Sequence, residues 1–301
     1  MQQQFAHLSD PHLTSLQNVR YGQLMSKRLL GYISWRRKRR HEHSPEVLAA
    51  LSRDLIGYPC DQLLVTGDLT HIGLPDEFQQ ALAWLKTLGN PQQIALVPGN
   101  HDATVKAPRQ STLSLWDDYF ASDKNDTGQV FPSLRIRGQL AFIGLSSACP
   151  SPPLMATGTL DKQQLSRLPE MLRSAAEQRL FRVVYVHHSP LPGTEKWRKR
   201  MTNAQALQAI IKKHGAELML HGHGHRGFSR EIETPWGSVP VLAVPSASAL
   251  GLYGADVAHY NRFKVEKTAA GWQLDVHSRG YNTETGEFTA RQNQTLQLAR
   301  A

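Results

Sequence analysis

Short apolar runs broken by polar loops dominate the first 245 residues of the chain. Phe5 to Leu8, Leu63 to Val65, Ile94 to Val97, Val183 to Val186 and Leu218 to Leu220 are such runs. Their length and β-branched or aliphatic composition predict buried strands. Amphipathic stretches lie between them. Ser44, Pro45 and Glu46 mark a helix start, with the helix expected to run to about residue 56. Helical spacing recurs over 75–88, 161–178 and 203–214, with Leu165, Leu168 and Leu172 forming one apolar stripe. A further helical stretch is expected near 113–120, and strands near 133–137 and 140–145. Beyond Gly227 the pattern turns β-rich, over 228–234, 239–244, 260–267 and 272–279. Alternating strands and helices followed by strands predict an α/β fold, two sheets in a sandwich with helices outside. With no internal repeat and no low-complexity linker, one domain over 1–301 is expected. It carries an insert at about 13–43 and a β-rich C-terminal part at about 228–301.

Each of the five runs leads into a polar motif: Asp10-Pro11-His12, Gly67-Asp68, Gly99-Asn100-His101-Asp102, His187-His188 and Gly222-His223-Gly224-His225. Strands ending in polar residues deliver side chains to one rim of a sheet. Asp10 and His12 are two apart, a spacing that on a strand end puts both on one face; His223 and His225 repeat it. Asp68 follows a glycine that permits a tight turn, and its two oxygens can bridge two cations. Asn100 adds a neutral oxygen, leaving the ions electrophilic. Such a mixed donor set suits two divalent ions, with Mn, Fe, Zn or Co all acceptable. Two ions roughly 4 Å apart suit attack by a bridging hydroxide at phosphorus. His101, adjacent to a ligand, is expected to protonate the leaving oxygen.

Composition narrows the partners. The formal charge of +9 and a pI near 9.7 point to anionic partners: a phosphate ester, nucleic acid or an acidic membrane surface. Two cysteines, Cys60 and Cys149, suggest neither disulfides nor a thiolate metal site and fit a reducing cytoplasm. No apolar run approaches 18 residues. A cleaved leader would remove the first motif, so none is expected.

The five motifs in this order resemble the calcineurin-like metallophosphoesterases, over roughly residues 5 to 245. That resemblance implies a four-layer α/β/β/α sandwich of two mixed sheets flanked by helices, with a binuclear site at the rim. It implies one metal on Asp10, His12, Asp68 and His225, and the other on Asp68, Asn100, His187 and His223. His101 matches the catalytic histidine, with Asp102 orienting it or an adjacent group. His187 and His188 both stand as ligand candidates, with His187 favoured as the first after the strand. His221 is expected in the strand, and His71 beside the site or not. His7, His214, His259 and His277 are expected to be ordinary surface or core residues, and His41 and His43 to be solvated.

Two basic, aromatic segments stand apart: 27–40, with Trp35, Arg36, Arg37, Arg39 and Arg40, and 196–200, with Trp197. As a helix the first would carry Leu29, Leu30 and Ile33 as an apolar stripe bordered by charge, suiting an anionic membrane or a cap over the substrate. The expectation is metal-dependent hydrolysis of a phosphodiester or pyrophosphate, on a nucleotide or a lipid-linked UDP-sugar. The protein is expected in the cytoplasm, with a peripheral place at the inner membrane face as the further expectation. Gly67-Asp68-Leu69-Thr70 resembles the cyclic-nucleotide phosphodiesterase branch. The insert is similar in physical character, not in matched residues, to membrane-associated pyrophosphatases that cleave UDP-diacylglucosamine. A nuclease on single-stranded nucleic acid is the alternative, with Trp35 and Trp197 as stacking platforms. Loss of catalysis is disfavoured because every ligand position is filled. Nothing in the sequence sets the oligomeric state.

Overall fold

The computed structural model describes residues 2–13, 15–124, 128 and 130–299. Strands β1 (Gln3–Leu8), β2 (Gln62–Val65) and β3 (Ile94–Leu96) come first. Next are β4 (Ser133–Arg137), β5 (Leu140–Leu145), β6 (Phe181–Val186), β7 (Leu218–His221), β8 (Phe228–Thr234) and β9 (Gly237–Ala243). The chain closes with β10 (His259–Lys267), β11 (Gly271–Asn282) and β12 (Glu287–Ala299). One sheet has the order β12-β11-β10-β1-β2-β3, the other β4-β5-β6-β7-β9-β8. Both are mixed. β1, β2 and β3 run parallel while β10 to β12 are antiparallel to their neighbours. β5, β6, β7 and β9 run parallel, flanked by antiparallel β4 and β8.

The sheets bury their facing sides on each other. Phe5, Leu64 and Val97 of one meet Phe142, Val183, Tyr185 and Leu220 of the other in an apolar layer. The outer face of the first sheet is covered by helices Pro45–Gly57 and Pro75–Leu88, that of the second by Lys162–Glu177 and Ala204–His214. This is the expected α/β/β/α sandwich. The helix starts follow local chemistry. Ser44 accepts from the backbone N–H groups of Glu46 and Val47, and Asp161 from that of Gln164.

Two elements differ from the sequence expectation. The stretch near 113–120 forms one 3-10 turn and one α-turn rather than a regular helix. Strand β12 falls in the expected β-rich C-terminal part, but no run of the sequence places it. Nearly every side chain in it is exposed, so it lacks an apolar signal, and its backbone ladder to β11 defines it instead.

The insert is helical over Arg28–Ser34, continues as a π-turn over Trp35–Arg39 and ends at Arg40–Glu42. Trp35 and Arg39 are four apart and share a face. That face turns inward, where Trp35 joins Leu16, Leu24, Ile72 and Leu74 in a small satellite core. Arg36, Arg37 and Arg40 are exposed. Arg28 donates to the carbonyls of Ile72 and Gly73, and Lys27 to Ser151 and the Met155 carbonyl. The insert is thereby docked on the loop that follows Asp68.

Candidate metal centre

All five motifs meet at one rim of the sandwich. Asp10, Asp68, His223, His12 and Asn100 are buried, and His225 is half-buried. The local geometry is not that of a strand end. β1 stops at Leu8, and Asp10 (φ 53°), His12 (φ 44°), Asp68 (φ 55°), His223 (φ 67°) and His225 (φ 53°) all occupy the left-handed region. Convergence of Asp10 and His12 therefore comes from consecutive tight turns, not from strand alternation. Backbone strain of this kind persists only where the surroundings enforce it, and it concentrates at functional sites. Here loop-to-loop hydrogen bonds enforce it: Asp10 N–H to the Gly67 carbonyl (3.0 Å), His12 N–H to the Asp68 carbonyl (3.1 Å) and Gly222 N–H to the His187 carbonyl (3.1 Å). Two glycines allow the loops to close. A Cβ on Gly99 would strike the Asp68 carboxylate, and one on Gly222 would strike Ser9 and Asp10.

The ligand-capable atoms form two joined sets. In one, Asp10 Oδ1 lies 3.2 Å from His225 Nε2 and 3.9 Å from His12 Nε2. In the other, His187 Nε2 lies 3.3 Å from Asp68 Oδ2, 3.2 Å from Asn100 Oδ1 and 3.2 Å from His223 Nδ1. Asp68 is within ligand distance of both His12 and His187, so it stands between the sets. Backbone carbonyls orient the rings. His12 Nδ1 donates to Thr70 O (3.0 Å), His187 Nδ1 to Thr66 O (2.6 Å) and His223 Nε2 to Lys199 O (2.9 Å). Each turns the opposite nitrogen toward the other donors. His12 Nε2 is buried with no hydrogen-bond partner. An orphaned imidazole nitrogen between two buried carboxylates fits a divalent cation and little else.

His188 could also reach a metal with His187 and His223. Its nitrogens are already engaged, Nδ1 with Ser147 Oγ (2.7 Å) and Nε2 with the Ala156 carbonyl (3.2 Å). The geometry thus favours His187. Charge tells the same story. Burial opposes ionisation of Asp10, but His225 and His187 hold it well below the carboxylate range. Burial likewise works against His187, yet Asp68 and Asp10 raise it to about 9. These carboxylates hold a positive charge at the place where a metal would supply it.

One expectation is narrowed and two are corrected. Of the two roles expected of Asp102, it serves the adjacent groups and not the His101 ring. Its carboxylate accepts from the N–H groups of Asp68 (2.8 Å), Gly99 (2.9 Å) and Thr70 (3.0 Å) and from the Thr70 hydroxyl (3.0 Å). Burial and Asp68 push it up to about 7. Asp102 pins two loops together and touches no reacting group. The His101 ring is oriented by the His71 carbonyl, 2.5 Å from Nδ1. Trp35, expected as a membrane or base contact, is 5% exposed and packs in the satellite core, which removes one stacking platform from the nuclease reading. His43, expected in solvent, is 7% exposed, its ring 4.4 Å from that of His12. His71 stacks on His12 from another side at 5.1 Å. Nothing local in the sequence marks His43. It arrives at the end of the insert helix, where Ser248 and Ser246 hold its Nδ1. Of the other basic-segment residues, Arg36, Arg37, Arg40 and Trp197 are exposed, while Arg39 points to His101.

Comparison with known proteins supplies the context. The family model for calcineurin-like phosphoesterases matches residues 4–227. A 3',5'-cyclic-nucleotide phosphodiesterase of Nostoc sp. is 30% identical over 181 residues, 57% of this chain and 58% of that protein. The match thus spans less than two thirds of that relative's length. A glycerophosphodiester phosphodiesterase of Enterobacter lignolyticus is 27% identical over 73% of this chain and 70% of its own. A dimetal phosphatase from Danio rerio shares the fold, with a TM-score of 0.65 at 12% identity over 99% of each chain.

Proposed function

Because the chain belongs to the calcineurin-like phosphoesterase family, we propose that it hydrolyses a phosphodiester or diphosphate bond using two divalent metal ions. Asp10, His12, Asp68 and His225 would hold one ion, and Asp68, Asn100, His187 and His223 the other. The observation that carries this reading is the pair of joined donor sets sharing Asp68, with His12 Nε2 orphaned between them. When bound, the ions supply a water nucleophile at neutral pH and neutralise charge developing on phosphorus. The mixed nitrogen and oxygen donors accept Mn, Fe, Zn or Co, and elemental analysis of the purified protein decides among them.

His101 handles the proton. Burial and the Arg39 guanidinium hold its pKa well below the usual range, so it rests neutral. With its Nδ1 hydrogen on the His71 carbonyl, Nε2 presents a lone pair 3.9 Å from Asp68 Oδ2. There it can pass a proton from solvent to the leaving oxygen. A panel with Mn²⁺ tests the reading: cyclic nucleotides, glycerophosphodiesters, UDP-sugar lipids, an aryl diester and single-stranded DNA. Metal-dependent cleavage of a diester or diphosphate, abolished by chelation, is expected. Cleavage of the DNA alone would replace the reading with a nuclease.

The outer face of the insert supports an anionic membrane as a further partner. Tyr21 (89% exposed), Leu29 and Ile33 line a groove of about 470 Å³ together with Arg36, Arg37 and Arg40. Trp197 (67% exposed) lies in the second basic segment. Apolar side chains interleaved with cations suit the headgroup boundary of an anionic leaflet, such as the inner face of a cytoplasmic membrane. No helix among the described residues is long and apolar enough to cross a membrane. Flotation with vesicles containing phosphatidylglycerol, against pure phosphatidylcholine, measures this attachment.

A further inference from the structure

Arg39 reaches the site from the inward face of the insert, its Nη1 3.1 Å from His101 Nδ1. That contact does not satisfy it. His101 Nδ1 directs its hydrogen to the His71 carbonyl, and a guanidinium only donates. Among the described residues Arg39 forms no ion pair. Burial lowers its pKa even though Asp68 and Asp10 pull the other way. Arg39 is half-buried and has no carboxylate beside it to neutralise it, so it stands at the site as a cation able to meet an incoming anion.

Its position says which anion. His101 faces Asp68 through Nε2, so the metal ligands lie on that side of the ring. Arg39 lies on the Nδ1 side, one imidazole further out. An anion that meets Arg39 is therefore one group removed from the phosphorus under attack, on the side where His101 meets the leaving oxygen. A second cation stands nearby. Lys199, whose carbonyl holds His223 Nε2, lines the same two hollows as Arg39. One hollow, about 360 Å³, includes Asn100 and His101; the other, about 500 Å³, includes His225 and Glu195. The two cations come from the two separate basic segments, and they share the wall between two arms of one cleft.

We infer that the substrate is a diphosphate diester, two organic groups joined through P–O–P, and that Arg39 with Lys199 holds the phosphate that leaves. This rests on the hydrolase reading above and narrows it. A simple diester carries one negative charge, and a diphosphate diester carries two, the second falling where Arg39 waits. In the reaction the oxygen of water joins the phosphorus at the metal ligands. The bridging P–O bond breaks with its electron pair on the bridging oxygen. Two phosphate monoesters result, each with one hydrogen of the water. Arg39 is a specificity residue in this scheme, and it lowers the demand on His101 by stabilising the departing oxyanion.

The test compares wild type, Arg39→Gln and Arg39→Lys, all loaded with Mn²⁺ and checked for metal content. Calorimetry reads binding of methylenediphosphonate, whose P–C–P link cannot be hydrolysed, against inorganic phosphate. Arg39→Gln should keep its metals, lose at least about tenfold in methylenediphosphonate affinity and lose much less for phosphate. Arg39→Lys, which keeps the charge but not the fork, should fall between. In turnover, the ratio of kcat/KM on a diaryl diphosphate to that on bis(4-nitrophenyl) phosphate should drop about tenfold or more in Arg39→Gln. Equal losses on both substrates, or unchanged methylenediphosphonate affinity, would overturn the inference. If Arg39→Gln loses its metals, Arg39→Lys alone decides by the same ratio. Wild-type cleavage of the aryl diester without the diphosphate sinks this inference and leaves the hydrolase reading standing. Cleavage of neither sinks both.

Discussion

The metal rim and the insert beside it are built on opposite principles. At the rim five ligand-capable residues sit in left-handed backbone conformations, and backbone carbonyls choose which nitrogen of His12, His187 and His223 faces the other donors. Little there can move without breaking several hydrogen bonds at once. The insert is a regular helix with one π-turn, and its order comes from a handful of apolar contacts around Trp35 and a few cationic hydrogen bonds. One region places atoms to within a metal's tolerance, while the other places charges. The chemistry is thus expected to fail sharply on any change at the rim, and the insert to tune what is bound.

The sharpest test of that division is Asp68→Ala. One residue serves both donor sets, so the variant should lose both metals by elemental analysis and all measurable turnover. Two retained metals would mean that the rim is not a shared site. His101→Ala should keep both metals and lose about 10²- to 10⁴-fold in kcat on alkyl diesters. With 4-nitrophenolate, which departs without a proton, the loss should shrink. An equal loss on both would leave His101 a purely electrostatic role. Next comes the insert's own core. Trp35→Ala removes its largest buried side chain and should cost about 3 kcal/mol in local stability. Hydrogen exchange should rise over 28–42 while the sandwich stays protected, and protection lost throughout would show the insert to be part of the main core.

Exposed charge comes lower. Reversal of Arg36, Arg37 and Arg40 to Glu should weaken binding to anionic vesicles, each residue being worth about 1 kcal/mol. Turnover of a small aryl diester should hardly change, because none of the three faces the metal ligands. Vesicle binding that survives would remove the membrane from the account. The last effect is on pH. Burial lowers His7 to about 3 and His259 to about 4, from an ordinary 6.5. The unfolded chain therefore binds more protons than the folded one below about 6.5, and stability should fall as pH drops from there towards about 4. The melting temperature should fall less over that window in a His7→Gln, His259→Gln variant than in wild type, and equal falls would clear the pair.

Much of this was legible in the chain. A strand buried on both faces must be apolar throughout, so the runs before each motif announce themselves, and Ser44 and Asp161 announce their helices by capping them. The motif residues are close to their strands in sequence, which is why their convergence at one rim could be read from order alone. Strand β12 could not be read, because its partners are backbone groups and its side chains face water. The roles of Asp102, Arg39 and His43 depend on which loop lies across from them, and that is decided by contacts 34, 62 and more than 200 residues away in sequence. Local chemistry, the hydrophobic period and the supply of metal donors are properties of neighbours along the chain, and the sequence alone determined them. Which nitrogen faces the other donors, which arginine turns inward and which histidine is buried depend on how distant segments exclude water from one another, and only the tertiary structure decided those.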